Sequence, residues 1–144
     1  MAELLLIARL AGRRIAFPAA RVEAVVELEG ITPAPCAAPH VAGLAALRSR
    51  VLTVIDGRAA LDLGGTGERQ SNDAIVIPCD GHTYALLVEE VEDVIEADAP
   101  AVPLSAPVGA AWARVATGTV EVDSELFLLV DPALLIAGPA ASAV

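Results

Sequence analysis

Short apolar runs alternate with turn-forming pairs along most of the chain. The runs occupy residues 4–10, 15–17, 74–77, 83–88, 115–122 and 126–130. The turn-forming pairs between successive runs are Ala11-Gly12, Asp80-Gly81 and Asp123-Ser124. Apolar runs of this length joined by two-residue turns are typical of β-hairpins. The pattern therefore predicts an all-β fold, either a barrel or a sandwich.

Two short helices are predicted among the strands. They cover residues 58–63 and 132–137, both are rich in Ala and Leu, and both end at a glycine. Pro132 suits the first position of a helix, where no backbone N–H is needed. The stretch 64–73 is predicted to be a loop and residues 138–144 a flexible tail.

An internal repeat relates the two halves of the chain. With a shift of 69 residues, "GRRIAFPAARVEAVVE" (12–27) aligns without gaps with "GHTYALLVEEVEDVIE" (81–96), and six of the 16 positions are identical. Each copy continues through a proline-punctuated connector into a second hairpin, where "GLAALRSRVLTVID" (43–56) aligns with "GTVEVDSELFLLVD" (118–131). Each second hairpin then runs into a predicted helix. The repeated unit spans approximately residues 12–63 and 81–137.

The size of this unit limits how it can fold. A chain of 144 residues fits one compact domain, whereas a unit of ~65 residues buries only ~60% of its surface and is marginally stable alone. Two such units packed together share one apolar interior. We therefore expect residues 1–144 to form a single domain of two small barrels, with a groove where they meet.

The charge of the chain excludes several classes of function. The formal net charge is -10, and all nine cationic side chains are arginines. Such a surface repels phosphate backbones and anionic lipids, so neither nucleic acid nor a membrane surface is an expected partner. Chemistry that needs a lysine is impossible. No apolar stretch reaches the ~18 residues of a membrane helix, so membrane insertion is not expected either.

The cysteines and histidines give no metal signal. Cys36 and Cys79 lie far apart without CxxC spacing, which fits free thiols in a reducing cytoplasm. The amino terminus lacks the basic region of a signal peptide, so a cytoplasmic location is predicted. His40 and His82 have no ligand-type neighbours and are predicted to be surface residues at element boundaries. We expect no metal and no cofactor.

The segment "EEVEDVIEAD" (89–98) carries six acidic residues but lacks the spacing of a calcium loop. Its apolar residues recur every three to four positions, which predicts an amphipathic turn with the acids facing water; an acidic edge that faces a partner is the alternative.

No nucleophile elbow is present, and no enzymatic activity is expected. A small β-barrel enzyme or ligand-binding protein is the rival hypothesis, which a deep enclosed pocket would support.

Arg48 and Arg50 stand in the middle of the apolar segment 43–56. The repeat aligns them with Asp123 and Glu125, so they fall at the turn of a hairpin. They are then either ordinary solvated turn residues or, for Arg48, a five-donor fork aimed at the carboxylates or carbonyls of a partner. The hairpin pattern alone leaves both interpretations open.

Several segments resemble the CheW family of bacterial chemotaxis coupling proteins. "HVAGLAALRSRVLTVIDGRAALDL" (40–63) is similar to the family's signature hairpin, G-V-I-N-L-R-G-x-V-x-P-V-I-D-L. "ITPAPCAAPHVAG" resembles its proline connector, "YALLVEEVEDVIE" its V-D-x-V-x-x-V segment and "GTVEVDSELFLLVD" its closing hairpin. The resemblance covers nearly the whole chain. It implies two intertwined five-stranded SH3-like β-barrel subdomains with short helices, and no catalytic activity.

The resemblance also implies partners and sites. Members of the family link the cytoplasmic tips of chemoreceptors to the regulatory domain of the histidine kinase CheA, which has the same fold. Carried over by position, Arg48 is the signature arginine and Gly43 the glycine that opens its strand. Three valines line the groove for the helical receptor tip, and Arg48 and Glu23 supply its polar rim. The groove valines are Val22, Val91 and Val94.

Four positions depart from the family signature. Ala46 replaces the usual Asn, Ser49 the Gly, Thr53 the Pro and Gly57 the Leu. Losing glycine at the turn costs on the order of 1 kcal/mol if that position has a positive φ. These departures also favour an alternative, a divergent CheW-like binding module in another chemosensory or two-component pathway. The sequence leaves the oligomeric state open.

Overall fold

The structure is a computed structural model, and it describes residues 3–33, 38–61, 73–97, 101–103 and 109–138. The strands within these ranges are β1 Glu3–Leu10, β2 Arg13–Pro18, β3 Ala24–Glu27, β4 Val41–Leu47, β5 Arg50–Asp56, β6 Asp73–Cys79, β7 His82–Leu87, β8 Glu90–Ala97, β9 Ala116–Val122 and β10 Glu125–Val130. The helices are α1 Gly57–Ala60, α2 Ala110–Val115 and α3 Pro132–Ala137, and a 3-10 turn covers Ala19–Arg21. None of the described helices is long and apolar enough to cross a membrane.

The strands form two five-stranded sheets. The first sheet has the order β8-β1-β2-β10-β9 and the second the order β3-β6-β7-β5-β4. β2 and β10 are parallel, as are β5 and β7, and the other neighbours are antiparallel. The two orders become identical when β1 is matched with β6, β2 with β7, β3 with β8, β4 with β9 and β5 with β10. The last four of these matches follow the sequence repeat, and each sheet contains strands from both copies of it. The predicted intertwined all-β fold is confirmed.

The four hairpins that join successive strands have tight two-residue turns. Leu10 pairs with Arg13 and Cys79 with His82, so Ala11-Gly12 and Asp80-Gly81 are the connecting pairs. Both residues of each pair have positive φ, as do Arg48-Ser49 and Asp123-Ser124. Positive φ at both central positions defines the type I′ turn, whose twist matches that of the flanking strands. The turn pairs in the sequence therefore fix the register of these hairpins.

A single apolar cluster lies between the two sheets. It combines side chains from both sheets and all three helices, and we call it the shared cluster: Leu6, Ala8, Leu10, Ile15, Phe17, Ile55, Ala60, Leu61, Ile75, Ile77, Leu86, Val88, Trp112, Val115, Leu128, Val130, Leu135 and Ile136. Removing this apolar surface from water is the main stabilising contribution to the fold. Neither sheet can bury its inner face without the other.

Each sheet also has a smaller apolar cluster of its own. Leu52, Val54 and Val76 belong to the cluster of the second sheet, and Ile7 and Phe127 to that of the first. Since the strands that contribute to each cluster belong to one sheet, each sheet must bend around its cluster. This curvature agrees with the SH3-like subdomains that the family resemblance implies.

Aspartates begin the two helices that follow the second hairpins. The Asp56 carboxylate accepts hydrogen bonds from the backbone N–H groups of Arg58 and Ala59, at 3.0 and 3.3 Å. The Asp131 carboxylate accepts from the N–H of Ala133 at 2.9 Å. Such N-caps satisfy donors that have no partner inside the helix. This explains why an aspartate ends both aligned segments.

Two glycines allow the proline connectors to approach the sheets. Gly43 has φ +150°, and a Cβ built on it lies 2.2 Å from the carbonyl oxygen of Thr32. A Cβ on Gly118 lies 2.4 Å from the carbonyl oxygen of Val102. Thr32 pairs with Leu44 and Val102 with Thr119 through isolated β-bridges. The absence of a side chain at Gly43 and Gly118 therefore lets the connector backbones lie directly against strands β4 and β9.

The structure corrects several predicted boundaries. α1 begins and ends earlier than residues 58–63, and residues 62 and 63 lie outside the described part of the chain. Asp73 begins β6 and is not part of a loop, whereas 64–72 are not described. α2 was not predicted, because no side chain caps it and Gly109 with φ +91° precedes it.

The prediction of an amphipathic turn around "EEVEDVIEAD" was wrong, because residues 90–97 form edge strand β8. Val91 lies opposite Ala8 and Val94 opposite Leu6, although the two valines are three positions apart and a regular strand would place them on opposite faces. A register shift between Ile7 and Ala8 accounts for this, since the extra residue in β8 restores the same face. The bulge produced a spacing that imitates a helix.

The prediction of a surface position for His40 was also wrong. The side chain is buried, and its Nε2 lies 2.8 Å from the carbonyl oxygen of Ile136 near the end of α3. Gly138 is buried as well and ends α3 with φ +75°, directly against the imidazole ring. It is therefore an ordered helix cap and not part of a flexible tail; residues 139–144 are outside the described ranges. His82 is exposed, as predicted.

We expect Gly43→Ala to lower the free energy of unfolding by about 2 kcal/mol or more, because the new Cβ must displace the Thr32 backbone. Urea unfolding followed by circular dichroism measures this change. Gly30→Ala is the control, since a Cβ there meets nothing within 4 Å. Equal stability of the two variants would contradict the proposed packing of the connector.

Candidate partner-binding surfaces

Two exposed valines occupy equivalent positions on the outermost strands of the two sheets. Val25 in β3 lies opposite Ile75, and Val94 in β8 lies opposite Leu6. Ile75 and Leu6 belong to the shared cluster, and side chains of opposite residues in a sheet lie on the same face. Val25 and Val94 therefore continue the shared cluster to the surface, where they are 45% and 49% exposed.

Val22 and Val91 lie deeper than this exposed pair. Both are partly buried and pack against the shared cluster. We call the four residues Val22, Val25, Val91 and Val94 the seam surface, because they border the junction between the sheets. Val25 was not among the predicted site residues, although the 69-residue shift that aligns Val22 with Val91 also aligns Val25 with Val94.

An ion pair lies beside the seam surface. The Arg50 guanidinium donates to the carboxylate of Glu23, and this hydrogen bond and the charge of Glu23 raise the pKa of Arg50. The backbone N–H of Glu23 donates to the carbonyl oxygen of Val76 at 2.8 Å, which fixes the residue to the second sheet. The described partner of Glu23 is therefore Arg50 and not Arg48.

In the first sheet, Arg14 in β2 links a glutamate in β8 to a glutamate in β10. Arg14 donates to Glu92 at 2.7 Å and also to Glu125, and Arg9 contacts Glu92 at 3.0 Å. Glu92 is the repeat partner of Glu23, and Glu125 that of Arg50. In the second sheet, the position equivalent to Arg14 is Thr83, which carries no charge. There Glu23 is linked to the β4–β5 hairpin directly, by its ion pair with Arg50.

Arg48 lies at the tip of the β4–β5 hairpin with φ +48°. It is exposed, and among the described residues it forms no ion pair. Leu44 and Val51 on the same hairpin are 39% and 69% exposed. We call Leu44, Arg48, Arg50 and Val51 the basic tip. The geometry leaves the Arg48 fork accessible to a partner.

The equivalent β9–β10 hairpin has the opposite charge. Glu121, Asp123 and Glu125 are exposed along it, and Leu126, which is equivalent to Val51, is 64% exposed. We call these four residues the acidic tip. The two tips therefore share a backbone shape and an exposed apolar residue but differ in the sign of their charge.

The departures from the family signature have identifiable structural settings. Ser49 has φ +72°, the conformation in which glycine is favoured. Gly57 is buried, and a Cβ there would lie 2.6 Å from the Leu10 side chain and 2.7 Å from the Leu87 carbonyl oxygen. Ala46 is exposed on β4, and Thr53 is half-buried in β5. Glycine at position 57, where the family signature has leucine, thus lets the start of α1 lie close to Leu10 and Leu87.

Several features of the described residues bear on catalysis. They contain no group of three or more His, Cys, Asp or Glu side chains arranged for a metal ion. Burial and, to a lesser degree, the charge of Asp80 raise the pKa of the Cys79 thiol, which disfavours the nucleophilic thiolate. A cavity of about 480 Å³ lined by Arg13, Arg14 and apolar residues such as Leu126 is open to solvent.

The fold and these surfaces define a two-sheet binding domain whose candidate contacts lie at the seam and at the hairpin tips. A family model described as the CheW-like domain matches residues 4–139, and the chain belongs to this family. This membership supports a scaffold in chemotaxis signalling and not an enzyme, as the sequence analysis predicted.

A solved structure supports the same fold. The scaffolding protein TtCheW from Thermoanaerobacter tengcongensis is 22% identical to this chain, and the match covers 91% of this chain and 90% of TtCheW with a TM-score of 0.79. A search of curated protein sequences found no match. The similarity to TtCheW therefore concerns the architecture, and the functional surfaces must be argued from the residues themselves.

We expect Ser49→Gly to raise the free energy of unfolding by about 0.5–1 kcal/mol, because glycine adopts a positive φ without steric cost. The shift of the urea midpoint measures this gain. Ser124→Gly should stabilise by a similar amount, since Ser124 has φ +67° at the equivalent turn. Destabilisation by both changes would show that neither serine is strained.

Proposed function

We propose that this protein is an adaptor that links the cytoplasmic tips of chemoreceptors to a CheA-type histidine kinase in the cytoplasm. Its membership of the CheW-like family supports the assignment to chemotaxis signalling. The observation that carries the receptor half is the pair of equivalent exposed valines, Val25 and Val94, at the junction of the sheets. An adaptor of this kind acts by binding alone.

The seam surface suits a helical partner. A helix with an apolar stripe needs an apolar surface with polar groups beside it. Val25 and Val94 supply exposed apolar area continuous with a rigid core, and Glu23 and Arg50 supply the polar border. Arg48 lies two residues beyond this border with no ion-pair partner among the described residues, where its fork can bind carboxylates or helix-terminal carbonyls.

The kinase half of the proposal rests on family membership and on shape. The regulatory domain of CheA resembles this fold, so the two proteins are expected to pair subdomain to subdomain. The substitutions at Ala46, Ser49, Thr53 and Gly57 support a second candidate, a coupling module for a different chemosensory or two-component pathway. Recovery from cell extract of a different kinase without chemoreceptors would favour that candidate.

We expect Val94→Asp to weaken binding of a purified receptor-tip hairpin at least tenfold, because the new carboxylate must be desolvated in an apolar interface. Val25→Asp should have a similar effect. Isothermal titration calorimetry with the receptor hairpin and, separately, with the kinase regulatory domain measures both interactions.

Val102→Asp is the matched control for the valine variants. Val102 is 52% exposed but lies on the second connector, where it pairs with Thr119 and is not part of the seam surface. The control should bind both partners normally. Equal loss of receptor binding in Val94→Asp and Val102→Asp would remove the seam surface from the proposed site.

We expect Arg48→Ala to weaken receptor binding by about tenfold, the typical cost of losing a charge-assisted hydrogen bond. Arg48→Lys retains the charge but loses the planar fork, so it should recover only part of the affinity. Titration of the unmodified chain, Arg48→Lys and Arg48→Ala with the same receptor hairpin measures their affinities, which should decrease in that order. Unchanged binding by Arg48→Ala would exclude Arg48 from the site and leave the fold assignment intact.

A further inference from the structure

The open cavity of about 480 Å³ lies at the first sheet, beside β2, β9 and β10. Leu128 lies opposite Ile15 of β2 and Thr119 of β9, and opposite residues in a sheet share a face. Leu126, two positions before Leu128, is on that face as well. Leu126, Leu128 and Thr119 line the cavity, whose volume is within the range of ~300–1,000 Å³ that is typical of small-molecule sites.

Arg13 supplies this cavity with a cation that carries no paired charge. It is two positions before Ile15 in β2, so its half-buried side chain is on the same face. Its Cζ lies 5.5 Å from the centre of the Trp112 ring, and Arg13 forms no ion pair among the described residues. A ring beneath a guanidinium leaves the N–H donors in the guanidinium plane free. These donors are therefore available to an anionic ligand.

The other charges around the cavity restrict where an anion can lie. Arg14 also lines the cavity, but two glutamates already compensate its charge. Glu121 is exposed and lies opposite Leu126, on the same face of the sheet. Within the described part of the chain, Glu121 and Arg13 form no ion pair with each other. Negative charge is thus favoured at the Arg13 guanidinium and disfavoured beside Leu126.

We propose that this cavity binds a small amphipathic monocarboxylate, with the carboxylate on Arg13 and the apolar end against Leu126 and Leu128. The guanidinium suits a carboxylate because it donates two parallel hydrogen bonds. The leucines remove the hydrocarbon from water, and the Thr119 hydroxyl offers one more hydrogen-bonding group. A dicarboxylate is disfavoured, because its second charge lies beside Glu121. The inference goes beyond the proposed function, since it requires neither receptor nor kinase.

Octanoate and octanedioate, which have the same chain length, test the ligand class. Binding to the purified full chain is measured by isothermal titration calorimetry and by the fluorescence of Trp112, the only tryptophan of the chain. A ligand of this size binds weakly, so one octanoate should bind per chain with a Kd on the order of 1 mM. Octanedioate should bind at least about fivefold more weakly. No octanoate binding up to about 20 mM, or equal affinity for both acids, would overturn the proposal.

Removal of the cation tests the carboxylate position. Arg13→Gln keeps a polar side chain but no charge, so it should weaken octanoate binding at least about tenfold. Arg48→Gln is the matched control, because Arg48 is exposed, forms no ion pair among the described residues and is not part of the cavity lining. The control should bind octanoate like the unmodified chain. Unchanged binding by Arg13→Gln, or equal loss in both variants, would contradict the assignment.

An exchange of ligand preference tests the apolar end. Leu126 is 64% exposed, so Leu126→Arg should fold, which circular dichroism verifies. The second cation should tighten octanedioate binding at least about fivefold and weaken octanoate binding. Leu126→Ala is the uncharged control and should weaken octanoate without any gain for octanedioate. An unchanged preference in Leu126→Arg would contradict the assigned orientation. Because neither receptor nor kinase is present in these titrations, their outcome is independent of the proposed function.

Discussion

Burial of one apolar cluster between two sheets determines the rest of this structure. Phe17, Ile75, Leu86 and Leu135 come from different elements, yet they meet in the same interior. Because each sheet needs the other to cover its inner face, the two subdomains are held as one body. The valines at the surface end of this cluster are therefore presented by a rigid frame, which suits binding without a large conformational change.

Local chemistry made much of this fold predictable. Type I′ pairs such as Asp80-Gly81 marked the hairpins, and Asp131 followed by Pro132 marked the start of a helix. The predictions that failed concern residues whose contacts lie far away in the sequence. His40 is buried because it meets Ile136, which is 96 residues away, and the bulge in β8 depends on its pairing with β1. No local pattern encodes either contact.

The site was predictable only in part for the same reason. The family resemblance gave Val22, Val91 and Val94 as candidate groove residues, and the repeat, which aligns Val25 with Val94, would have added Val25. The partner of Glu23 could not be inferred from the alignment, because Thr83 stands where the other sheet has Arg14 and the ion pair is rearranged. A repeated backbone thus carries two different charge arrangements, and this difference distinguishes the two hairpin tips.

The distribution of strands between the sheets has a consequence for synthesis. β3 to β7 are consecutive and complete the second sheet by residue 87, whereas the first sheet joins β1 and β2 to β8, β9 and β10. On the ribosome, the β1–β2 hairpin must wait until β8, β9 and β10 have emerged. Its apolar residues stay uncovered until then, which exposes the nascent chain to aggregation unless a chaperone shields that hairpin.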